Sequence, residues 1–171
     1  MRYHDDEWGR PVRGDQALFE RITLEAFQSG LSWLVILRKR PAFRDAFAHF
    51  DIEHVASFGD RDRARLLADA GIVRNVRKID GAIANARAIA DLRSAQGEGA
   101  LDALVWAHAP EPSPRPADDT AIPATSDASR ALAVSLRAIG IVGVGPTTMH
   151  AAMQACGLVD EHVAACWVPS G

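Results

Sequence analysis

Cysteine is scarce in this chain: Cys156 and Cys166 are the two among 171 residues. A pair cannot build a disulfide framework, and it falls short of the four thiolates of an iron–sulfur cluster. Long apolar runs are missing too. None approaches the ~20 residues of a membrane span, and residues 1–7 contain no apolar signal core. These absences argue against a membrane partner and make the cytoplasm the expected compartment. Period-2 runs of β-branched residues are lacking as well, which argues against a sheet. The net charge of −3 weighs against nucleic acid as a partner. Net charge is a global sum, however, whereas a duplex responds to a local basic patch.

What the chain does contain is helical periodicity rich in alanine, so the expected fold class is all-α. With 48% hydrophobic residues in 171, there is material for a core in one domain, or at most two small helical lobes. The pattern predicts helices over 15–29, 32–38, 41–47, 52–57, 61–70 and 73–94. Another opens at Ser126 or Asp127 and runs to about 138. In the first, Leu18, Ile22, Glu25, Ala26 and Ser29 follow the helical repeat, while Leu24 and Phe27 make the far side apolar. Gly30 is a natural stop. The alternating prolines of 110–118 exclude a helix and predict an extended connection.

Near the C-terminus stands Ile139-Gly140-Ile141-Val142-Gly143-Val144-Gly145-Pro146-Thr147-Thr148. Gly143 and Gly145 permit a turn too tight for side chains, with positive φ at little cost. Pro146 suits the first position of a following helix, where its missing N–H is not needed. The pattern predicts two helices around a hairpin, the second aiming free N–H groups outward at a phosphate oxygen. An ordinary turn between packed helices fits Gly-Val-Gly equally well.

Several residues could carry chemistry. His162 and Cys166 lie four apart and, on a helix, would share a face and chelate one ion. Two ligands do not make a site, and most such pairs serve no metal. His4 is a candidate third ligand, though spacing alone does not bring it near. His49, His54, His108 and His150 read as surface or loop histidines. Glu25 sits on an apolar stripe, so its carboxylate must be paired, hydrogen-bonded or neutralised. It is either a recognition group in a pocket or a structural carboxylate held by backbone or an arginine. Tyr3, Trp8 and Trp33, in a chain with only 6% aromatics, would suit a flat ligand beside that carboxylate. Taken singly, each fits a core position better. Arg38-Lys39-Arg40 and Arg74, Arg77, Lys78 could track phosphates, or be solvated helix faces.

Longer motifs add a resemblance. Tyr3-His4-Asp5-Asp6-Glu7-Trp8-Gly9, Leu24-Glu25-Ala26-Phe27-Gln28-Ser29-Gly30-Leu31-Ser32-Trp33, Asp69-Ala70-Gly71-Ile72-Val73-Arg74, Lys78-Ile79, Asn85-Ala86-Arg87 and Met153-Gln154-Ala155-Cys156-Gly157-Leu158-Val159 resemble the DNA-3-methyladenine glycosylase I family, in order and over essentially the whole chain. The resemblance implies a helix–hairpin–helix glycosylase fold and hydrolytic excision of 3-methyladenine from double-stranded alkylated DNA by a monomer. It implies Glu25 as the catalytic carboxylate that hydrogen-bonds the alkylated base, with Tyr3, Trp8 and Trp33 as the aromatic pocket. Gly30 and Leu31 would enter the DNA, and Gly143, Gly145 and Thr147 would grip its backbone.

The resemblance also implies a structural Zn2+ on His4, His162 and Cys166. The family's fourth ligand is a cysteine before the Tyr-His motif, and no cysteine precedes Cys156 here. Cys156 itself reads as part of a packed helix end. Asp160 stands where this family commonly has asparagine. Related glycosylases use such an aspartate to support the cationic transition state, so Asp160 is a second catalytic candidate, or it caps the following turn. The hairpin region carries no lysine, which predicts a glycosylase without strand-cutting Schiff-base chemistry. A second expectation is an impaired homologue with a shortened N-terminus, acting only as a DNA-binding module.

Overall fold

A fourteen-residue helix, α2 (Asp15–Gln28), is the post on which the other elements lean. It is buried on nearly every side, through Leu18, Phe19, Ile22, Thr23, Leu24, Glu25 and Phe27. The computed structural model describes residues 2–169, and all regular structure among them is helical, as the periodicity predicts. Around α2 are α1 (Arg2–Asp6), α3 (Trp33–Ala46), α4 (Ile52–Ala56), α5 (Asp60–Ala68) and α6 (Val76–Gln96). Then follow α7 (Ala100–Trp106), α8 (Asp127–Ala138) and α9 (Pro146–Ala155). Helices α3, α6, α7 and α9 all pack directly on α2.

The rings divide by polarity. All six phenylalanines are buried, and Phe27, Phe43, Phe47, Phe50 and Phe58 form a continuous cluster with centroids 4.8–6.5 Å apart. Phenylalanine has no polar atom to satisfy, so it serves as core, whereas tyrosine and tryptophan are suited to cavity walls where a donor is useful.

Three expectations change. Residues 32–38 and 41–47 form one helix that continues through Pro41. Pro41 is exposed, so water can replace the bond that the Leu37 carbonyl loses. Helix α7 was not expected, because its cap comes from far along the chain. Asp15 accepts from the N–H groups of Gly99 and Asp102, both at 2.9 Å. The Asp102 carboxylate in turn accepts from the N–H of Gly14 at 2.8 Å, so the starts of α2 and α7 cap each other. Finally, His162 and Cys166 lie on an irregular loop after α9, not on a helix.

The N-terminal segment reaches that loop by crossing the end of α9. The Val12 N–H donates to the Cys156 carbonyl at 3.0 Å. Gly157 has φ +73, and a Cβ there would stand 2.7 Å from the backbone of Arg10 and Pro11. Only glycine permits this crossing, and the crossing brings residues 3–9 beside residues 158–166.

Candidate base pocket, metal cluster and nucleic-acid interface

Tyr3, Trp8, Glu25, Gln28, Trp33 and Gln154 surround a cavity of about 250 Å³. Tyr3 arrives on α1, Glu25 on α2 and Trp33 at the start of α3. The rings of Tyr3 and Trp33 are 5.5 Å apart and inclined by 49°. A second cavity of about 310 Å³ shares Tyr3, Trp8 and Trp33 and extends towards Glu161, His162 and Cys166. The three aromatics that singly fitted a core better are therefore walls.

Glu25 is 5% exposed and, among the described residues, accepts no hydrogen bond. Burial lifts its carboxyl from the ordinary 4.5 to about 7, opposed by the positive charge of Arg21. Of the two readings of Glu25, the carboxylate satisfied by backbone or arginine is not what the chain builds. Arg21 instead reaches Glu7 at 3.2 Å, and Arg40 binds the same Glu7 through two bonds of 2.6 and 2.9 Å. The Tyr3 hydroxyl and Trp33 Nε1 are buried donors without a partner among the described residues. Burial also raises the Tyr3 pKa, so it stays a protonated donor. The cavity thus offers one acidic acceptor and aromatic faces, a set suited to a flat cation.

His4, His162 and Cys166 converge: their candidate ligand atoms all lie within 4.8 Å of one another. Cys166 Sγ is 3.8 Å from His4 Nε2, and the two imidazoles meet edge to face at 5.3 Å. Each histidine gives Nδ1 to a carboxylate, His4 to Asp5 at 2.9 Å and His162 to Asp160 at 2.8 Å. Trp8 leans edge-on against His162 at 4.5 Å, so one cavity wall rests on this cluster. Gly9 is required beside it, since at φ +76 a Cβ would come within 2.5 Å of the His162 ring. Cys156 stands apart, buried, with its thiol pushed up to about 12.

Asp160 lines neither cavity. Its carboxylate accepts from Arg115 Nε at 2.8 Å and from the His162 N–H at 3.2 Å as well as Nδ1. His150 is a correction: it is a buried residue of α9, bonded to Glu161 at 3.0 Å. Gln154 binds the same Glu161 oxygen. The Glu161 carboxylate, on the wall of the second cavity, went unread in the sequence because its partners lie 11 and 7 residues back, across the turn that ends α9.

Helix α8, the 139–145 turn and α9 follow one another, and the two helices pack together. Positive φ falls at Gly140 (+93) and Gly143 (+76). Gly145 is instead the extended N-cap of α9, with Pro146 at the first position and no side-chain cap. The first-turn N–H groups near Thr147 are thus left for an outside acceptor. Asn85 on α6 holds the turn: its amide donates to the Val142 carbonyl at 3.0 Å and accepts from the Val142 N–H at 2.8 Å. The neighbouring 29–31 loop has Gly30 at φ +81 and Leu31 37% exposed. Lys78 Nζ anchors it on the carbonyls of Phe27 and Ser29 at 2.9 and 2.7 Å.

A family profile described as methyladenine glycosylase matches residues 1–169. A DNA-3-methyladenine glycosylase 1 of Escherichia coli (strain K12) is 42% identical over 169 residues, covering 97% of this chain and 89% of that protein. The chain belongs to the methyladenine glycosylase family. A crystal structure of 3-methyladenine DNA glycosylase I superposes with a TM-score of 0.91 at 39% identity, covering 97% of this chain and 91% of that one. A Staphylococcus aureus glycosylase, solved for the structural basis of 3-methyladenine recognition, has a TM-score of 0.91 at 29% identity and covers 99% and 91%. No helix among the described residues of this family member is long and apolar enough to cross a membrane.

In this methyladenine glycosylase the basic clusters are only partly available to DNA. Lys39 caps the carbonyls of Ala70 and Gly71, Arg40 is held by Glu7, and Lys78 holds the 29–31 loop. Arg74 and Arg77 are exposed. Arg77 shares a groove of about 330 Å³ with Gly143 and Thr148, beside the hairpin. Arg77→Ala is expected to weaken duplex binding a few-fold and to reduce the slope of log Kd against log salt by about one. Fluorescence anisotropy over a salt series measures this. An unchanged slope would remove Arg77 from the phosphate contacts.

Proposed function

We propose that the protein hydrolyses the bond between 3-methyladenine and deoxyribose in double-stranded alkylated DNA, acting as a monomer. The observation that carries this is Glu25: a buried carboxylate that has no hydrogen-bond partner among the described residues, on the wall of an aromatic cavity. Methylation at N3 puts a positive charge on adenine. That charge weakens the glycosidic bond and lets the base leave neutral, so no strong general acid is required. The ionised Glu25 accepts hydrogen bonds from the cationic base, and a neutral adenine gains much less from it. The rings of Tyr3, Trp8 and Trp33 add cation–π attraction of about 0.5–2 kcal/mol. Water then attacks an oxocarbenium-like sugar.

The DNA side of the reading uses the hairpin at Gly143, Gly145 and Thr147 for backbone phosphates, without sequence readout. Leu31, presented by Gly30 and braced by Lys78, fills the gap left by the flipped nucleotide. Unpairing a damaged base costs less than unpairing a sound one, which adds selectivity. Strand cutting is not part of the proposal. The chain has two lysines, Lys39 and Lys78, and both ammonium groups are bound to backbone carbonyls.

We extend the proposal to zinc at His4, His162 and Cys166, which offer three of the N and S donors that zinc takes. His162 Nε2 is buried without a partner among the described residues, and both histidines have Nδ1 engaged, leaving Nε2 as ligand. Zinc bound there would supply a structural link between the two ends of the chain.

Incubating the protein with methylated duplex DNA and separating the released bases by chromatography tests the reading. Free 3-methyladenine is expected, and none from Glu25→Ala. A folded protein that binds duplex and releases no base would overturn the enzymatic reading in favour of a binding module.

A further inference from the structure

We propose that Arg115 and Asp160 act as a positioning pair for the His4–His162–Cys166 cluster, with the proline-rich connection as the strap that delivers Arg115. This rests on the reading that those three residues hold zinc. The observation behind it is that one short stretch of the strap touches the ligand loop at three points. Arg115 Nε donates to Asp160 at 2.8 Å, and its Nη1 reaches the Cys166 carbonyl at 3.4 Å. The Pro116 carbonyl accepts from the Ala164 N–H at 2.8 Å. The Arg115 side chain is only 16% exposed, so the ion pair is largely shielded from solvent. Pro110, Pro112, Pro114 and Pro116 keep the strap extended and restrict its alternatives before folding.

What the pair accomplishes is visible at His162. One Asp160 oxygen accepts from both the backbone N–H and Nδ1 of His162. Accepting from Nδ1 requires the Nδ1–H tautomer, which leaves Nε2 with its lone pair free to bind a metal. That Nε2 is buried, has no partner among the described residues, and belongs to the cluster that includes Cys166 Sγ. The other Asp160 oxygen is taken by Arg115, which stops the carboxylate rotating away. Asp160 is therefore a positioning residue that acts through His162. Because Trp8 leans on the same imidazole, the strap also fixes one wall of the base cavity.

The test uses the full chain as wild type, Asp160→Ala, Asp160→Asn and Arg115→Ala. Zinc content is measured by elemental analysis, zinc affinity by competition with a chromophoric chelator, and melting with and without EDTA. Asp160→Ala is expected to weaken zinc binding about 10–100-fold. Asp160→Asn keeps an oxygen for His162 but turns an amide towards Arg115, so it should lose less than the alanine variant. Arg115→Ala should weaken zinc binding without any change to a ligand. Should Asp160→Ala fail to fold, the other two variants decide. Variants that melt earlier as apo-protein yet bind zinc like wild type would reduce the pair to ordinary structural contacts and overturn the proposal. A wild-type protein that takes up no zinc and whose melting ignores EDTA would overturn the zinc reading itself, and this inference with it.

Discussion

Raising the pH from 6 to 8 is expected to increase kcat/KM for 3-methyladenine excision about tenfold, and to leave Glu25→Gln flat over the same range. With a pKa of about 7, the carboxyl passes from roughly one-tenth to nine-tenths ionised across that interval. The substrate cation needs the ionised form, so free-enzyme activity follows this titration. Once the cation is bound beside it, Glu25 stays ionised to lower pH, and kcat should be much flatter than kcat/KM. At pH 8 the glutamine variant, without the charge, should fall roughly 100-fold, the order expected for losing a buried charge-assisted hydrogen bond. Single-turnover base release at several pH values measures both effects. A wild-type profile without the rise, or a glutamine variant with the same rise, would remove Glu25 from cation recognition.

Stability should move the opposite way. The folded-state pKa of Glu25 lies above its ordinary value of 4.5 because burial penalises the charged form. Below about pH 4.5 both states are protonated and nothing is lost. As pH rises from there through 7, the unfolded chain ionises freely while the folded one resists, and stability falls. The full penalty is on the order of 3 kcal/mol, present above pH 7. Glu25→Gln should therefore match wild type near pH 4 and melt higher at pH 8. A residue that destabilises its own fold at working pH and is more useful charged is the mark of a binding group.

How much of this was legible in the sequence differs by the range of the interactions. The burial of Glu25 could be read locally, because periodicity places it on a stripe flanked by Leu18 and Ile22. The hairpin was readable from Gly143 and Pro146, although Gly140 rather than Gly145 takes the second positive φ. The metal cluster was half legible. His162 and Cys166 announce a pair, but His4 joins them only through the crossing of Val12 over Gly157, a tertiary contact with no local signal. The helical geometry expected for that pair was wrong because Asp160 captures the His162 N–H, a local bond that competes with a helix. Helix α7 stayed hidden for a related reason, its cap being Asp15, 84 residues away. Resemblance supplied roles that spacing could not, but it said nothing of Arg115, Glu161 or the clamp made by Asn85.

That clamp carries the other large expected effect. Asn85→Ala should weaken binding of undamaged duplex between about tenfold and a hundredfold, while leaving the affinity for free 3-methyladenine unchanged. Asn85 is 3% exposed and satisfies both the N–H and the carbonyl of Val142, at 2.8 and 3.0 Å. Removing it strands both backbone groups, at roughly 1–3 kcal/mol for each that finds no substitute. The hairpin can escape that cost by turning its peptide towards water, which moves Gly143 and the start of α9 away from the phosphate they would hold. Asn85 is not among the residues that line the base cavity, so that cavity should keep its shape. Asn85→Asp sharpens the comparison: one oxygen can still accept from the Val142 N–H, but the other faces the Val142 carbonyl and repels it. Duplex affinity by anisotropy, free-base affinity by tryptophan quenching and thermal melting separate the outcomes. Equal losses in both affinities would mean a general loss of structure. A duplex affinity equal to wild type would mean that the hairpin holds its shape without α6.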